Sequence, residues 1–345
     1  MRYKKPNRLK KGDTVAVVSP SWAGPSVFPH VYENGLKVLE NWGLIVKEYP
    51  SARMSSDPSL SNIKKRAKDI NDAFRNSDVK AIFVSVGGDD SVRILPFLNA
   101  QVIANNPKII MGYSDTTTLL AYINQLGLVT FNGPAIMAGF SQMENLPKAF
   151  ESHVHDMLFK PSESYTYPSF GVYCEGYMDW GNVENAGKTN TLKLDSGMHV
   201  VQGRGKVTGI LFGGCIEVLE FLKGTSYWPP VNYWENKILF LETSEDKPSI
   251  KIIQRILRNY GVQGVFASAR ALIFARPIFY SEKEKCELEQ VIKQVISVEF
   301  GQPDFPIVIN AEFGHCDPQV VLPNGIQLEI DLNVSAIKLK EPCII

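Results

Sequence analysis

Short apolar runs alternate with amphipathic segments over the first half of the chain. The runs TVAVVSP, KAIFVSVGG, KIIMGYS and LVTFNGP predict strands, and the segments HVYENGLKVLENWG, NIKKRAKDINDAFRNS, DDSVRILPFLN and TTTLLAYINQLG have apolar residues at helical spacing. Continuously apolar strands that alternate with helices are typical of a parallel sheet covered on both faces. The pattern therefore predicts an N-terminal α/β domain with a parallel, flavodoxin-like sheet over residues 1–165.

The pattern changes after residue 165. Residues 166–190 are rich in Pro, Gly, Ser, Tyr and Asn and have little periodicity, which predicts a linker or long loop. Strand-like and helix-like segments resume from residue 191 to 345, and the closing strands FPIVIN, QVVLPNG, IQLEIDL and SAIKLK include a Pro-Asn-Gly turn. We therefore expect a second α/β domain that contains antiparallel strands.

Composition restricts the classes of function. The 345 residues include 36 basic and 36 acidic side chains, so nothing favours a nucleic acid polymer or an anionic membrane as partner. No apolar run approaches the ~20 residues that span a bilayer. The N-terminus has no apolar signal segment, so we expect a protein that stays where it is made. The 5 cysteines form no C-x-x-C pair, which argues against a disulfide framework or a zinc ribbon.

Three predicted strands end in polar or glycine-rich segments, at residues 19–22 (SPSW), 87–90 (GGDD) and 112–115 (GYSD). In parallel sheets the ligand site lies beyond the carboxyl ends of the strands. Ser114 stands at a strand-to-helix corner, where a hydroxyl is exposed beside helix N-terminal amides, and both features suit a nucleophile. A helix N-cap is the alternative interpretation.

A serine nucleophile needs a base and a group that orients the base. Of the 5 histidines, His315 follows a predicted buried strand and a glycine. Glu242 follows four apolar residues, where a charge is costly unless it is paired. Glu245 and Asp246 lie in the next turn and are expected to be solvated or to begin a helix. The order Ser, Glu, His is that of the α/β-hydrolases, although Gly-x-Ser-x-Gly is absent.

The glycine pair in GGDD suggests donors for an oxyanion. A glycine amide can approach a ligand closely, so Gly88 or Asp89 could donate together with the amide of Asp115. The phosphate-binding patterns G-x-x-x-x-G-K-[ST] and G-x-G-x-x-G are absent. Asp89 and Asp90 have no His or Cys partner at ligand spacing and suit a helix N-terminus, so no metal site is expected.

Six segments spread over the chain resemble one known family. KKGDTVAVVSPS, VSVGGDDSVRILPFL, MGYSDTTTLL, GILFGG, LFLETSED and NAEFGHCDP are similar, in this order, to segments of the serine peptidases that include LD-carboxypeptidases and microcin C immunity proteins. The resemblance implies a Ser114, Glu242 and His315 triad, with the serine in the N-terminal domain and its partners in the C-terminal domain. It also implies oxyanion donors at Gly88 or Asp89 and Asp115, and a cytoplasmic homodimer without metal or cofactor.

The sequence VGGDD at residues 86–90 looks more like the microcin immunity branch than the Arg-Gly-Gly-Tyr-Gly typical of LD-carboxypeptidases. That branch cleaves the amide between an aminoacyl or peptidyl carboxyl group and a modified nucleotide, and an aromatic residue from an interdomain loop stacks on the base. Trp180 is the candidate for stacking, although a linker tryptophan can equally anchor domain packing. Cys215 stands where the family often has an asparagine and is a second candidate substrate contact.

These observations predict a serine carboxypeptidase or amidase that forms an acyl-enzyme with a small peptide or aminoacyl-nucleotide substrate. An LD-carboxypeptidase that acts on murein tetrapeptides in cell-wall recycling is the first alternative. A non-catalytic small-ligand-binding protein is the second. A thiol enzyme would depend on Cys316, but nothing in the sequence indicates a lowered thiol pKa.

Overall fold

The computed structural model describes residues 3–55 and 57–345. The strands in chain order are β1 (Thr14–Val18), β2 (Ile45–Glu48), β3 (Val79–Val84), β4 (Ile109–Gly112), β5 (Thr130–Asn132), β6 (Tyr165–Thr166), β7 (Val172–Glu175), β8 (Lys193–Leu194), β9 (His199–Gln202), β10 (Lys206–Cys215), β11 (Lys237–Glu242), β12 (Ala271–Ala275), β13 (Ile307–Ala311), β14 (Cys316–Asp317), β15 (Leu322–Asn324), β16 (Gln327–Asp331) and β17 (Ala336–Leu339).

Helices connect most of the parallel strands. The α-helices are α1 (Gly24–Val27), α2 (Pro29–Asn41), α3 (Leu60–Arg75), α4 (Ala100–Asn105), α5 (Thr117–Gln125), α6 (Lys148–Phe159), α7 (Ile216–Glu220), α8 (Ile250–Val262), α9 (Val265–Ser268) and α10 (Glu282–Lys293). Short 3₁₀ helices cover Pro50–Arg53, Ser91–Phe97, Ser114–Thr116, Met143–Asn145, Val183–Asn185 and Val231–Trp234, and a π-helix covers Gln294–Glu299.

The first sheet contains, within the described residues, six strands in the order β15-β5-β4-β3-β1-β2. Strands β1 to β5 are parallel to one another. This confirms the predicted parallel sheet. Strand β15, which comes from the predicted strand QVVLPNG near the C-terminus, pairs antiparallel with β5. The end of the chain therefore returns to complete the N-terminal sheet, which the local pattern did not predict.

The second sheet contains, in the same described part of the chain, eight strands in the order β6-β17-β16-β10-β11-β12-β13-β9. Its centre, β10 to β13, is parallel, and β16, β17, β6 and β9 add antiparallel edges. This confirms a second α/β unit with antiparallel strands. A small sheet joins β7, from the predicted linker, to β8 and β14. The division at residues 165 and 190 stays a prediction.

Alternate side chains of the central strands enter two apolar layers, as the period of two in a strand requires. Ala81 and Phe83 of β3 belong to one cluster of buried residues, and Ile82 and Val84 belong to the other. Strand β11 alternates in the same way between the two clusters, so each cluster includes side chains from both sheets. Burial of apolar area on both faces stabilises each sheet by roughly 25 cal/mol per Å².

Two local predictions differ from the structure. The segment DDSVRILPFLN was predicted to be an α-helix, but Ser91–Phe97 is a 3₁₀ helix that contains Pro96, and α4 follows it. Proline lacks the amide that an α-helix interior requires. Strand β2 was not predicted because it is an edge strand whose residues are mostly exposed, so its sequence shows no buried apolar run.

Candidate active site

Ser114 occupies the corner between a strand and a helix. Strand β4 ends at Gly112, a 3₁₀ turn covers Ser114–Thr116, and α5 begins at Thr117. The φ angle of Ser114 is 59°, in the left-handed region where a residue with a side chain is strained. The N-cap position of α5 is Thr116. The hydroxyl of Ser114 is thus presented by a strained turn before the helix.

Ser91 holds the strand-to-helix corner in place through two hydrogen bonds to Asp115. The Asp115 carboxylate is buried and accepts a hydrogen bond from the Ser91 amide at 2.9 Å. The Ser91 hydroxyl donates to the main-chain oxygen of Asp115 at 2.6 Å. Burial raises the pKa of Asp115. Its side chain is therefore committed to the interior, and only its amide can serve a ligand beside Ser114.

The Gly87-Gly88 segment lies directly against Ser114. A Cβ added to Gly87 would stand 3.0 Å from both Cβ and Oγ of Ser114, and 3.5 Å from the Asp115 nitrogen. Only glycine permits this approach without displacement. Among the described residues the Gly88 amide has no hydrogen-bond acceptor, and Gly88 lines the cavity in front of Ser114.

Ser21 holds the same loop from the other side. Its Oγ accepts hydrogen bonds from the amides of Asp89 at 3.0 Å and Asp90 at 3.1 Å. A Cβ on Gly88, where φ is 148°, would lie 2.2 Å from that Oγ. Of the predicted oxyanion donors, the Asp89 amide is thus already engaged with Ser21, whereas the Asp115 amide directly follows Ser114 and Gly88 lines the same cavity.

His315 and Glu242 form a buried pair. His315 lies in the loop between β13 and β14, and Glu242 is the last residue of β11. Nδ1 of His315 is 2.6 Å from Oε2 of Glu242, and both side chains are shielded from solvent. Gly314 makes this approach possible, because a Cβ there would lie 2.6 Å from the same carboxylate oxygen.

Glu245 contacts the other imidazole nitrogen. Its Oε2 lies 3.0 Å from Nε2 of His315, although 63% of the Glu245 side chain is exposed. The sequence had suggested only a solvated or helix-starting role for this residue. The structure adds Glu245 to the site, where its carboxylate lies beside the imidazole nitrogen that Glu242 does not contact.

The two carboxylates determine the charge of His315. Burial alone would lower the pKa of His315, but the neighbouring charges of Glu242 and Glu245 outweigh burial and raise it to about 10. The contact with the imidazole lowers the pKa of Glu245 to about 2. At neutral pH the resting site therefore holds an imidazolium between carboxylates.

A cavity of about 490 Å³ brings these groups together. Its lining includes Ser114, Gly88, His315, Glu245 and Trp180. The rest of its wall is largely aromatic and apolar, with Trp22, Tyr113, Tyr177, Ile278 and Phe279. The cavity thus joins the serine on the first sheet to the histidine beside the second.

Trp180 lies at one wall of this cavity and belongs to the segment predicted as a linker. Its ring is parallel to that of Trp22, with an interplanar angle of 2° and centroids 6.4 Å apart. Phe28 packs edge-on against both rings. His30 Nε2 lies 2.8 Å from the main-chain oxygen of Trp180 and anchors the loop. These contacts serve domain packing and leave an aromatic surface on the cavity.

Tyr113, which packs against His315, belongs to a chain of hydrogen-bonded side chains. The hydroxyls of Tyr113 and Tyr177 are 2.9 Å apart, and Tyr177 donates to Oδ2 of Asp317 at 3.0 Å. The Tyr113 ring packs edge-on against His315 at 4.9 Å. Sequence reasoning missed Tyr177. The only sequence feature that could have indicated Tyr177 is the pair of aromatic residues in YMDW. Such residues in a loop merit attention because functional residues are frequent in loops held by a rigid scaffold.

The two highlighted cysteines lie outside the cavity lining. Cys215 is fully buried, its amide donates to Thr117 Oγ1 at 3.1 Å, and its thiol donates to Glu217 at 3.4 Å. Cys316 is buried as well and contacts the main chain of Arg276. Burial raises the pKa of both thiols. The structure therefore places neither sulfur where it would attack a ligand in this cavity.

Residues 3–55 and 57–345 contain no group of three His, Cys, Asp or Glu side chains arranged to hold a metal ion. None of the helices described combines the length and the apolar character that crossing a membrane requires.

Comparison with protein families assigns a class to this fold and site. Residues 15–133 match the LD-carboxypeptidase N-terminal domain, and residues 208–330 match the LD-carboxypeptidase C-terminal domain. The protein is a hydrolase of the peptidase class. The chain belongs to the LD-carboxypeptidase family, as its sequence motifs had indicated.

Similar proteins fall into both branches of this family. The chain is 29% identical to the microcin C7 self-immunity protein MccF of Escherichia coli, over 96% of this chain and 94% of that protein. It is also 29% identical to a probable murein peptide carboxypeptidase of Bacillus subtilis, over 93% and 89%. The solved structure of MccF in complex with aspartyl sulfamoyl adenosine is 27% identical, with a TM-score of 0.88 and coverage of 99% and 100%.

Proposed function

We propose that the protein is a serine amidase that hydrolyses aminoacyl or peptidyl nucleotides through an acyl-enzyme. Ser114 is the nucleophile, His315 the general base and Glu242 the group that orients His315. One observation carries the proposal: a single cavity contains both Ser114 and a histidine whose far nitrogen is held 2.6 Å from a buried carboxylate. A base that a buried carboxylate orients is what a serine nucleophile requires, and the hydrogen bond from Ser114 to Nε2 is the part that the proposal adds.

The reaction follows from these positions. Nε2 of His315 accepts the Ser114 proton while Oγ attacks the scissile carbonyl carbon, and the amides of Gly88 and Asp115 stabilise the oxyanion. His315 then donates that proton to the leaving nitrogen as the C–N bond breaks. Water attacks the resulting ester by the same route and releases the acid. Before the first step, the imidazolium has to release its Nε2 proton to solvent, and Nε2 has to leave Glu245 and turn to Ser114.

Aminoacyl nucleotides are favoured as substrates by the aromatic wall of the cavity. Trp180 provides a ring face on which a nucleobase can stack, and Trp22 supports it. The similarity to MccF, which is solved with aspartyl sulfamoyl adenosine, supports the same class of ligand here.

Murein tetrapeptides are the second candidate substrate. The chain is as similar to the probable murein peptide carboxypeptidase as to the microcin self-immunity protein, at 29% identity each. The proposed chemistry of Ser114 and His315 is the same for both substrates. The two candidates differ in the leaving group that the aromatic wall has to accept and in the substituent on the acyl side.

A direct test assays purified protein in parallel on an aminoacyl sulfamoyl adenosine and on a murein tetrapeptide. Ser114→Ala is expected to lose several orders of magnitude in turnover, whereas Ser164→Ala, at an exposed serine, keeps it. A fluorophosphonate probe should label the wild type at Ser114, which a non-catalytic binding protein would not show. A folded Ser114→Ala variant with near-normal turnover would refute the assignment.

We also propose that the enzyme acts as a cytoplasmic homodimer, as the family resemblance implies. Light scattering coupled to size exclusion measures the mass in solution, and cell fractionation gives the compartment. A monomer at micromolar concentration, or recovery outside the cytoplasmic fraction, would contradict this part of the proposal.

A further inference from the structure

We infer that Glu245 binds the α-ammonium group of the substrate, so that the enzyme selects aminoacyl compounds whose amino group is free. This inference rests on the proposed function, because it takes the acyl carbon to be the atom that Ser114 attacks. It concerns the acyl side of the substrate, which the nucleobase wall does not contact.

The distribution of charge along the cavity is the first observation. Among the described residues that line it, Glu245 is the only carboxylate, and none is a lysine or arginine. The remaining lining is aromatic, apolar or glycine, apart from Ser114 and His315. A cation that enters the cavity therefore meets one anionic partner, and an anionic acyl group meets no cationic side chain except the imidazolium.

The position of Glu245 relative to the reacting atoms is the second observation. Its Oε2 lies 3.0 Å from Nε2 of His315, and Nε2 has to reach the Ser114 hydroxyl in the proposed reaction. In an aminoacyl substrate the α-ammonium nitrogen is only two bonds from the carbonyl carbon that Ser114 attacks. The ammonium group is therefore delivered to the same side of the cavity as Nε2 and its carboxylate partner.

The contact between Glu245 and His315 gives this binding a consequence for turnover. An ammonium group paired with Glu245 takes over the carboxylate that lies 3.0 Å from Nε2 in the resting site. Nε2 is then able to turn to Ser114. A substrate without the ammonium group has to break the contact without compensation, so its kcat/KM is expected to be lower.

The selected class also separates the two candidate substrates. An aminoacyl nucleotide has a free α-ammonium group next to the scissile carbonyl. In a tetrapeptide the nitrogen at that position is acylated and neutral. Glu245 thus favours aminoacyl nucleotides on grounds independent of the base.

The test compares two isosteric substrates, alanyl sulfamoyl adenosine and its lactyl analogue, in which a hydroxyl replaces the α-ammonium group. Wild type is expected to prefer the alanyl compound. Glu245→Gln is expected to reduce the ratio of the two kcat/KM values about fivefold, the effect of one exposed ion pair. Asp246→Asn, which neutralises the adjacent exposed carboxylate outside the cavity, is the matched control and should keep the wild-type ratio.

The ratio of kcat/KM for the alanyl compound to kcat/KM for the lactyl compound distinguishes a binding role of Glu245 from a structural one. A loss of folding or of general activity in Glu245→Gln lowers both values together and leaves the ratio unchanged, and this result would overturn the inference. A wild-type preference for the lactyl compound would also overturn it. Failure of the proposed function appears elsewhere, as cleavage of either compound by Ser114→Ala.

Discussion

Nδ1 of His315 and Oε2 of Glu242 lie 2.6 Å apart, although 73 residues separate them in the chain. The glutamate comes from the end of a central parallel strand and the histidine from a loop after the strand two positions away. The contact fixes the plane of the imidazole and directs the other nitrogen towards the cavity. The pair is therefore organised before any substrate binds, as preorganised catalysis requires.

Glu242→Gln is expected to reduce kcat by about 10³- to 10⁴-fold, because an amide neither fixes the imidazole in the required protonation state nor stabilises the imidazolium. The side chains are isosteric, so the fold should persist. Steady-state kinetics measure kcat and a thermal unfolding curve measures the stability of the fold, with Asp246→Asn as the control for both. Wild-type kcat in a folded Glu242→Gln protein would show that Glu242 has no part in turnover.

The pH profile reports the charge of His315. Because Glu242 and Glu245 raise the pKa of His315 to about 10, the neutral base is scarce at pH 7, and kcat/KM should increase with pH towards 10. Tyr113 and Asp317 are the other titratable groups beside the ring, and burial raises the pKa of both, that of Tyr113 well above 10.

Removal of one carboxylate should move this profile. In Glu245→Gln the pKa of His315 falls, so the rise in kcat/KM shifts to lower pH. The lactyl substrate is the appropriate probe, because it has no ammonium group that titrates in the same range. Profiles of wild type, Glu245→Gln and Asp246→Asn with their midpoints at one pH would contradict the contact between Glu245 and His315.

The sequence predicts the three triad candidates for a physical reason. Ser114, Glu242 and His315 each follow an apolar run that has to be a buried strand, and a polar residue at such a place calls for an explanation. Glu245 could not be found in this way. It lies in an exposed turn, where a charged residue is ordinary, and only the fold shows that the loop carrying His315 approaches that turn.

Long-range pairing limited the prediction of the fold as well. Strand β15 has the pattern of a strand, but nothing in its sequence says that it pairs with β5 in the N-terminal sheet. The position of Trp180 depends on its packing against Trp22 and Phe28, which come from the first 30 residues. Local periodicity predicts elements, and contacts between distant segments decide where those elements lie.

Gly88→Ala is expected to lower kcat about 10²- to 10³-fold, the cost of losing one oxyanion donor. A Cβ at this position would lie 2.2 Å from Ser21 Oγ, so the loop has to shift and the Gly88 amide is displaced with it. Gly224→Ala is the control: Gly224 also has a positive φ, 75°, but no atom lies within 4 Å of an added Cβ. Kinetics of the two variants should separate backbone strain from loss of the donor.

If both glycine variants lose the same stability and Gly88→Ala keeps wild-type kcat, the Gly88 amide does not serve the oxyanion. The Asp89 amide offers no replacement while it donates to Ser21. In that case the second donor has to come from another group at the cavity.

Trp180→Ala is expected to raise KM for an aminoacyl sulfamoyl adenosine and leave kcat nearly unchanged. Stacking of a base on an aromatic ring is worth roughly 1–3 kcal/mol, so KM should increase about 5- to 150-fold. Trp180→Phe keeps a ring face and should lose less. An analogue with the same acyl sulfamate and ribose but no base is the control substrate, and its KM should not depend on residue 180. Since Trp180 also packs against Trp22 and Phe28, an equal loss for both substrates would assign it to domain packing instead.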